Sequence, residues 1–356
     1  FLPALASSLG VVIQHNWGDP FEQLLSYLQR RRLLLILDSF EEVPTASTWV
    51  TRLLQAAPGV QAMVTTRARL NIQSEQVFPL EGLLFPALGC PDPNSLNLED
   101  YSALKLFHSA ARQVRPDYDH TAADLPHLVR ICQLVNGMPL GLVLAAGWLV
   151  TLAPAEIALE IEHSLDFLSS EWNDLPIRQR SLRATLDHSW NMLSDHERQA
   201  FQKLSVFQGA FDRHAAETVS GVSPDGLRSL IDKSMLQAAP GSCRMHDILR
   251  QYAAEKLAAA EPLASQVREA HAVYYLERLA GYESRLRSAE RSKTLHAMDA
   301  QINDLQAAWK WACHQANIPL LGGGLSGLCM YYEMRVRYQE GEQACQAGLA
   351  ALPAVA

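Results

Sequence analysis

The sequence predicts a mixed, mostly helical fold, in which part of a parallel α/β core precedes a helical region, a winged-helix domain and helical repeats. Three observations predict it. An uninterrupted apolar run spans residues 33–37, helical patterns dominate from about residue 97, and short amphipathic helices between 181 and 257 surround a possible hairpin. A chain of 356 residues is long enough for two to four domains.

Composition narrows the class of protein. With 48% hydrophobic and 19% charged residues the chain is globular, and its formal charge of −8 disfavours a broad surface for nucleic acid or anionic lipid. Six dispersed cysteines without a CxxC pair predict reduced thiols in a cytoplasmic protein. The most apolar helical stretch, 134–150, contains Asn136 and Pro139 and is too short and irregular for a membrane span.

The run Leu33–Leu37 is the strongest single signal. Five consecutive apolar residues predict a strand buried on both faces of a parallel sheet, and the run stops at Asp38. The carboxyl ends of parallel strands border the ligand crevice, where a carboxylate can hold Mg²⁺ with substrate phosphates. From this stretch alone, an aspartate that caps the next turn is an equally good interpretation.

The segments around this strand complete the predicted α/β unit. A helix from Pro20 leads into the strand, and Ser47–Ala57 is predicted to be a second helix. Val60–Thr65 follows as a second buried strand that ends in a polar cluster containing Arg67, and Val77–Leu80 is a weaker third strand. Two strands that end in polar residues at the same sheet edge indicate a binding edge.

The next region is predicted to be helical. One helix places Leu104, Phe107, His108 and Ala111 on one face, and another runs from about Thr121 to Val135. The sequence NGMPL follows at 136–140. Its glycine can end one helix and its proline can start the next, so a tight corner explains this motif without any ligand.

The segment from Ser181 to Leu257 has the outline of a winged helix. Ser194 and Glu197 match a capping box, and Met235–Met245 can form a hairpin across Pro240-Gly241. Asp247 is predicted to cap a helix that extends to about Ala259. Beyond Pro262 the chain is helical, and its paired, alanine-rich helices suggest the start of a repeat array.

Four motifs in this order resemble those of the signal-transduction ATPases with numerous domains (STAND), in particular bacterial AP-ATPase or NB-ARC-like regulators that continue into tetratricopeptide repeats. They are LLLILDSFEEV (Walker B), AMVTTRARL (sensor 1), VNGMPLGLVLAAGWL (GxP) and CRMHDILRQYAAEKL (MHD). The resemblance covers nearly the whole chain. It implies part of a P-loop NTPase α/β domain at 1–85, a helical lid at 86–175, a winged helix at 176–260 and repeats at 261–356.

The resemblance implies roles for the residues of the first domain. Asp38 would hold Mg²⁺, and Arg67 would sense the γ-phosphate of ATP, the alternative for Arg67 being a surface ion pair. Ser39 stands where the family has a second acidic residue. Either Glu41 or Glu42 would then activate the attacking water, and either could equally be a solvated residue at a helix start.

It also implies nucleotide contacts further along the chain. Gly137 and Pro139 would line the adenine site, which is compatible with Pro139 starting a helix. His246 would reach the β-phosphate of ADP, next to a helix N-terminus that favours negative charge. The alternative for His246 is an ordinary exposed or core histidine, and Asp247 is interpreted as a cap rather than a ligand.

One family motif is missing. No GxxxxGK[ST] loop, which would cradle the phosphates, occurs in the 356 residues. In this family the loop precedes Walker B, so we expect the chain to be truncated after it and to be inactive alone. Slow ATP hydrolysis is expected of the full-length protein.

The implied function is an ATP/ADP-dependent regulatory switch. ADP would hold a closed state, and exchange for ATP would permit oligomerisation after a protein or small-molecule inducer binds the repeats. The output would be transcription or a linked effector.

Two other functions stay open. The first is a DNA-binding winged-helix transcription factor. The candidate recognition helix, Pro224–Met235, disfavours it, because the positive charges of Arg228 and Lys233 are cancelled by the negative charges of Asp225 and Asp232. The second is a nucleotide-free helical scaffold for protein–protein interaction.

Overall fold

The computed structural model describes residues 2–13, 18–43, 45–86, 100–169 and 181–352, without the side chains of Glu42 and Ala46. The chain divides into a first unit, Phe1–Leu80 with Asp232–Ser234, and a second unit, Glu81–Ile231 with Met235–Ala356. The predicted mixed, mostly helical fold class is confirmed. The helical start near Asn97, the boundary at 175–176 and Cys90 lie outside the described residues.

The first unit contains helices on a two-stranded sheet. Its elements are α1 (Leu2–Ser8), α2 (Pro20–Leu28), β1 (Leu33–Leu37), a 3₁₀ turn (Phe40–Glu42), α3 (Ala46–Ala56) and β2 (Val60–Val64). Asp19 caps α2, because its Oδ1 accepts a hydrogen bond of 3.0 Å from the Phe21 amide. The strands pair in parallel, with Leu35 opposite Ala62.

The prediction that β1 is buried on both faces is wrong. Leu35 and Leu37 are buried in one cluster with apolar residues of α2 and α3, whereas Leu34 is 53% and Ile36 is 68% exposed. Side chains alternate along a strand, and in the described part of this unit α2 and α3 pack on the face of Leu35 and Leu37. β2 is likewise half exposed, since Met63 is 56% exposed.

The predicted third strand, Val77–Leu80, is also wrong. The structure assigns no strand there, and the side chains of Val77, Phe78 and Leu80 are exposed. A short apolar segment becomes a strand when its backbone finds a neighbouring strand to pair with, and this segment has no ladder partner among the described residues.

Four α-helices of the second unit are described between residues 100 and 169: α4 (Ser102–Val114), α5 (Leu125–Leu134), α6 (Pro139–Gly147) and α7 (Pro154–His163). Leu104, Phe107 and Ala111 of α4 are buried, as their helical spacing predicts. α5 begins later than predicted because Thr121 and Asp124 form a turn, in which the Thr121 amide and hydroxyl both donate to Asp124 Oδ2.

The winged-helix region has the predicted helices and hairpin. Its elements are α8 (Leu182–Asn191), α9 (Asp195–Leu204), β3 (Ala210–Phe211), α10 (Arg213–Ala215) continued by a π-helical turn (Ala216–Ser220), α11 (Pro224–Asp232), β4 (Gln237–Ala239), β5 (Ser242–Arg244) and α12 (Asp247–Ala258). The capping box is confirmed, with Ser194 N donating to Glu197 Oε2 at 2.7 Å. The hairpin gains a third strand, in the order β3-β5-β4.

The prediction that Asp247 caps α12 is wrong. His246 occupies the cap position with extended backbone dihedrals, and its side chain makes no capping hydrogen bond. Asp247 is already the first helical residue, with its Oδ1 3.7 Å from Arg250 Nε. Its carboxylate, in the first turn of α12, still interacts favourably with the positive end of the helix dipole.

Four helices follow in the described residues up to 352: α13 (Leu263–Leu286), α14 (Arg291–His314), α15 (Ile318–Met334) and α16 (Tyr338–Ala350). α13 and α15 approach closely at Gly327, where a Cβ atom would lie 2.5 Å from the carbonyl oxygen of Leu279. The five described cysteines are free thiols. Among the described helices, none combines the length and apolar character needed to cross a membrane.

Candidate functional site

The carboxyl ends of β1 and β2 are joined by a small hydrogen-bond network around Thr65. The Thr65 amide donates to the Leu37 carbonyl at 2.9 Å, and the Phe40 amide donates to the Thr65 carbonyl at 3.0 Å. The Thr65 hydroxyl donates to Asp38 Oδ1 and accepts from the amide of Ser39. This network fixes Asp38, whose carboxylate is exposed to solvent at the predicted sheet edge.

Arg67 and Glu41 form an ion pair beside this network. Arg67 Nε lies 3.6 Å from Glu41 Oε1, and the side chains are 33% and 8% exposed. Glu41 Oε2 is buried without a hydrogen-bond partner in the described part of the chain. The structure thus brings three predicted site residues of the first unit, Asp38, Glu41 and Arg67, to the carboxyl edge of the sheet. Glu42 lies in the same turn, and its side chain is outside the description.

The corner before α6 depends on left-handed backbone. Asn136 and Gly137 have φ values of 47° and 62°. The Gly137 carbonyl accepts a hydrogen bond of 2.8 Å from the Leu83 amide, and a Cβ atom on Gly137 would lie 2.1 Å from the Leu83 carbonyl oxygen. Glycine is therefore required both by its dihedrals and by this close approach. Pro139, the first residue of α6, is exposed.

His246 contacts this corner. The side-chain amide of Asn136 donates to His246 Nε2, joining two residues 110 positions apart within the second unit. With the amide nitrogen as the donor, Nε2 is assigned as the acceptor, and a neutral ring then carries its proton on Nδ1. Burial lowers the pKa of His246, and Arg244 lowers it further, while Asp247 acts in the opposite direction. The lowered pKa favours the neutral ring that this contact needs.

Sequence reasoning found His246 but missed Asn136. The only local signal was that asparagine, after glycine, is the residue that most readily adopts left-handed backbone, and it stands directly before Gly137. The predicted residues therefore fall into two groups. Asp38, Glu41 and Arg67 are together in the first unit, and the Gly137–Pro139 corner and His246 are together in the second.

The donor set fits part of a nucleotide site. An exposed carboxylate suits a hard divalent cation, and a guanidinium suits a phosphate oxygen. The backbone loop that would cradle the phosphates is not in the sequence.

The chain is similar in sequence to bacterial regulators. An alignment of 311 residues covers 83% of it at 26% identity to proteins named HTH-type transcriptional regulators in Mycobacterium bovis and Mycobacterium tuberculosis. Regulatory protein AfsR of Streptomyces coelicolor is 27% identical over 241 residues, which are 64% of this chain and 21% of AfsR. The chain spans 33% of the length of the mycobacterial relatives. No family model matches it.

Solved structures also align with this chain, and one of them covers most of it. It is a STAND protein with a tetratricopeptide repeat sensor from Pyrococcus horikoshii, and the alignment covers 95% of this chain and 46% of that one. The sequence identity is 16% and the TM-score is 0.27, which is too low to establish a shared fold.

Proposed function

We propose that this chain is the switch part of a signal-transduction regulator of transcription, of the STAND type, which is controlled by ADP and ATP. The observation that carries the proposal is the contact between Asn136 and His246, which joins the GxP and MHD motifs. The similarity to proteins named as regulators supports transcription as the process that the switch controls. In this proposal the contact belongs to the closed, ADP-bound state.

The first unit would supply the cation and the phosphate sensor. Asp38 would bind Mg²⁺ through its exposed carboxylate, and Arg67 would exchange its ion pair with Glu41 for the γ-phosphate of ATP. That exchange would free Glu41, so that either Glu41 or Glu42 activates water for slow hydrolysis. The phosphate-binding loop would have to come from residues outside this sequence.

The second unit would supply the lid and the latch. The corner at Gly137 and Pro139 would contact adenine, and His246 would reach the β-phosphate from the N-terminus of α12. The proposed domains are the partial α/β domain at 1–85, the helical lid at 86–175, the winged helix at 176–260 and the helical repeats at 261–356. An inducer on the helical repeats would favour exchange for ATP and self-oligomerisation.

The test is the nucleotide content of the full-length protein that contains this chain. We expect purified protein to retain ADP, measured by chromatography after denaturation. His246→Ala should lower the retained fraction because it removes both the imidazole and the Asn136 contact. The matched control is His127→Ala, at an exposed histidine of α5. Equal retention in both variants would contradict the latch.

Two observations favour other functions. The relatives are named for a helix-turn-helix, which favours direct DNA binding. The sequence lacks a GxxxxGK[ST] loop, which favours a nucleotide-free scaffold. If the residues encoded directly before Phe1 also lack that loop, the scaffold becomes the better proposal.

A further inference from the structure

Three side chains with metal-binding atoms converge at the end of α4. His108 lies on α4, and Asp119 and His120 lie in the loop that follows the helix. One ligand atom from each residue lies within 4.8 Å of the other two. None of the three belongs to the proposed nucleotide site.

Two nitrogen atoms of this cluster lack hydrogen bonds. Nδ1 of His108 and Nδ1 of His120 are buried, and neither has a hydrogen-bond partner in the described part of the chain. His120 Nδ1 is 3.6 Å from Asp119 Oδ1, which is too long for a hydrogen bond. Leaving a buried polar group without a hydrogen bond is unfavourable, so two such nitrogens in adjacent rings point to a ligand between them.

The charges around the cluster are compatible with a cation. Asp119 supplies a carboxylate whose side chain is 78% exposed, and Arg112 is the opposing positive group. Arg112 Nε donates to the Tyr118 carbonyl at 3.3 Å, which engages part of its guanidinium with the loop backbone.

We propose that His108, Asp119 and His120 bind one divalent transition-metal ion of the Zn²⁺ type. Two imidazoles and a carboxylate suit Zn²⁺, whereas Mg²⁺ and Ca²⁺ prefer oxygen ligands. In a tetrahedral site the ligand atoms are separated by about 3.4 Å. The His120 Nδ1–Asp119 Oδ1 distance of 3.6 Å is already close to that value, and any pair near the 4.8 Å limit would have to draw closer. Asp119 can do so because it is exposed and in a loop.

Such a site would fasten the loop after α4 to the helix. Water would complete the coordination, because three protein ligands leave one position open. The site is independent of the proposed nucleotide switch, so either proposal can fail without the other.

The test is a titration of the whole chain, free of any polyhistidine tag, with Co²⁺. We expect visible absorption of a four-coordinate Co²⁺ site that saturates at one ion per chain and is displaced by Zn²⁺. His108→Ala and His120→Gln should each weaken binding by about tenfold or more, since even supporting residues of metal sites contribute that much. Asp119→Ala should weaken it with no effect on folding, because its side chain is exposed.

His127→Ala is the matched control and should leave the titration unchanged. Circular dichroism of each metal-free variant separates loss of the site from loss of the fold. Absence of a saturable Co²⁺ signal in the unaltered chain would overturn the proposal, as would a signal that survives in both Asp119→Ala and His120→Gln.

Discussion

Asp304 of α14 is the most deeply buried charged residue with defined partners in the described chain, and it joins α14 to α13 and to the segment before β3. Its side chain has no exposed surface. Oδ1 lies 2.9 Å from His271 Nε2 of α13 and accepts a hydrogen bond of 2.8 Å from the Gln208 amide, before β3. One carboxylate oxygen therefore fixes two elements of the second unit.

Replacing Asp304 with alanine should strongly destabilise the chain. Removing one partner of a buried pair costs roughly 3 kcal/mol or more, since the other groups stay buried without a partner. We expect a lower midpoint of thermal unfolding, followed by circular dichroism. Glu290→Ala is the control, because Glu290 pairs with Arg285 at the surface. Equal midpoints for the two variants would show that Asp304 does not stabilise this junction.

Residue-scale features were predictable where the chemistry is local. The Ser194–Glu197 capping box was predicted from spacing and is confirmed, and the Asp19 cap of α2 is equally local. The role of Asp304 was not predictable, because Gln208 is 96 positions away in sequence. The Asn136 contact with His246 was missed for the same reason.

At the scale of elements, the corner between α5 and α6 depends on a single glycine. Gly137 combines a φ of 62° with a Cβ position blocked by the Leu83 carbonyl oxygen at 2.1 Å. The corner also holds Asn136 in place for its contact with His246. The start of α6 and the histidine at the start of α12 are therefore linked within the second unit.

Gly137→Ala should destabilise the second unit by roughly 1–3 kcal/mol, the usual cost of enforced left-handed backbone, with the clash against Leu83 added. The measurement is denaturant unfolding followed by helix content. Gly147→Ala is the control, because Gly147 has a helical φ of −56° and open space at its Cβ position. That variant should be neutral or slightly stabilised. A neutral Gly137→Ala variant would contradict the described corner.

Helices and strands were predictable where the sequence of a single segment determines the structure of that segment. The start of α2 at Pro20 and the hairpin follow from local spacing and are confirmed, whereas α5 begins at Leu125, later than predicted. The burial of β1 and the strand at Val77–Leu80 were wrong, because both depend on which neighbours cover or pair with a segment. The Asp247 cap was wrong by one residue, since the backbone conformation of His246 decides where α12 begins.

At the scale of the whole molecule, charge sets the expected partners. The formal charge is −8, and the candidate recognition helix α11 with its following residues has Arg228 and Lys233 balanced by Asp225 and Asp232. Binding to duplex DNA depends on neutralising phosphates, which requires a net excess of positive side chains.

The fold class was predictable because it depends on patterns summed over long segments.

We expect this chain to bind duplex DNA no more tightly than the weak, non-specific range of about 10⁻⁴–10⁻⁶ M. The measurement is fluorescence anisotropy with labelled duplexes at two salt concentrations. Asp225→Lys, at an exposed position of α11, is the comparison and should raise affinity if this helix faces the DNA. Tight, strongly salt-dependent binding by the unaltered chain would instead favour the winged-helix transcription factor.

The exposed face of β1 has a practical consequence for the behaviour of the protein in solution. Leu34 and Ile36, with Met63 of β2, present apolar side chains on neighbouring strands. Surfaces of this kind promote aggregation as concentration rises. Because the buried residues Leu35 and Leu37 point the other way, a polar side chain at Ile36 would improve solubility while leaving the core of the first unit intact.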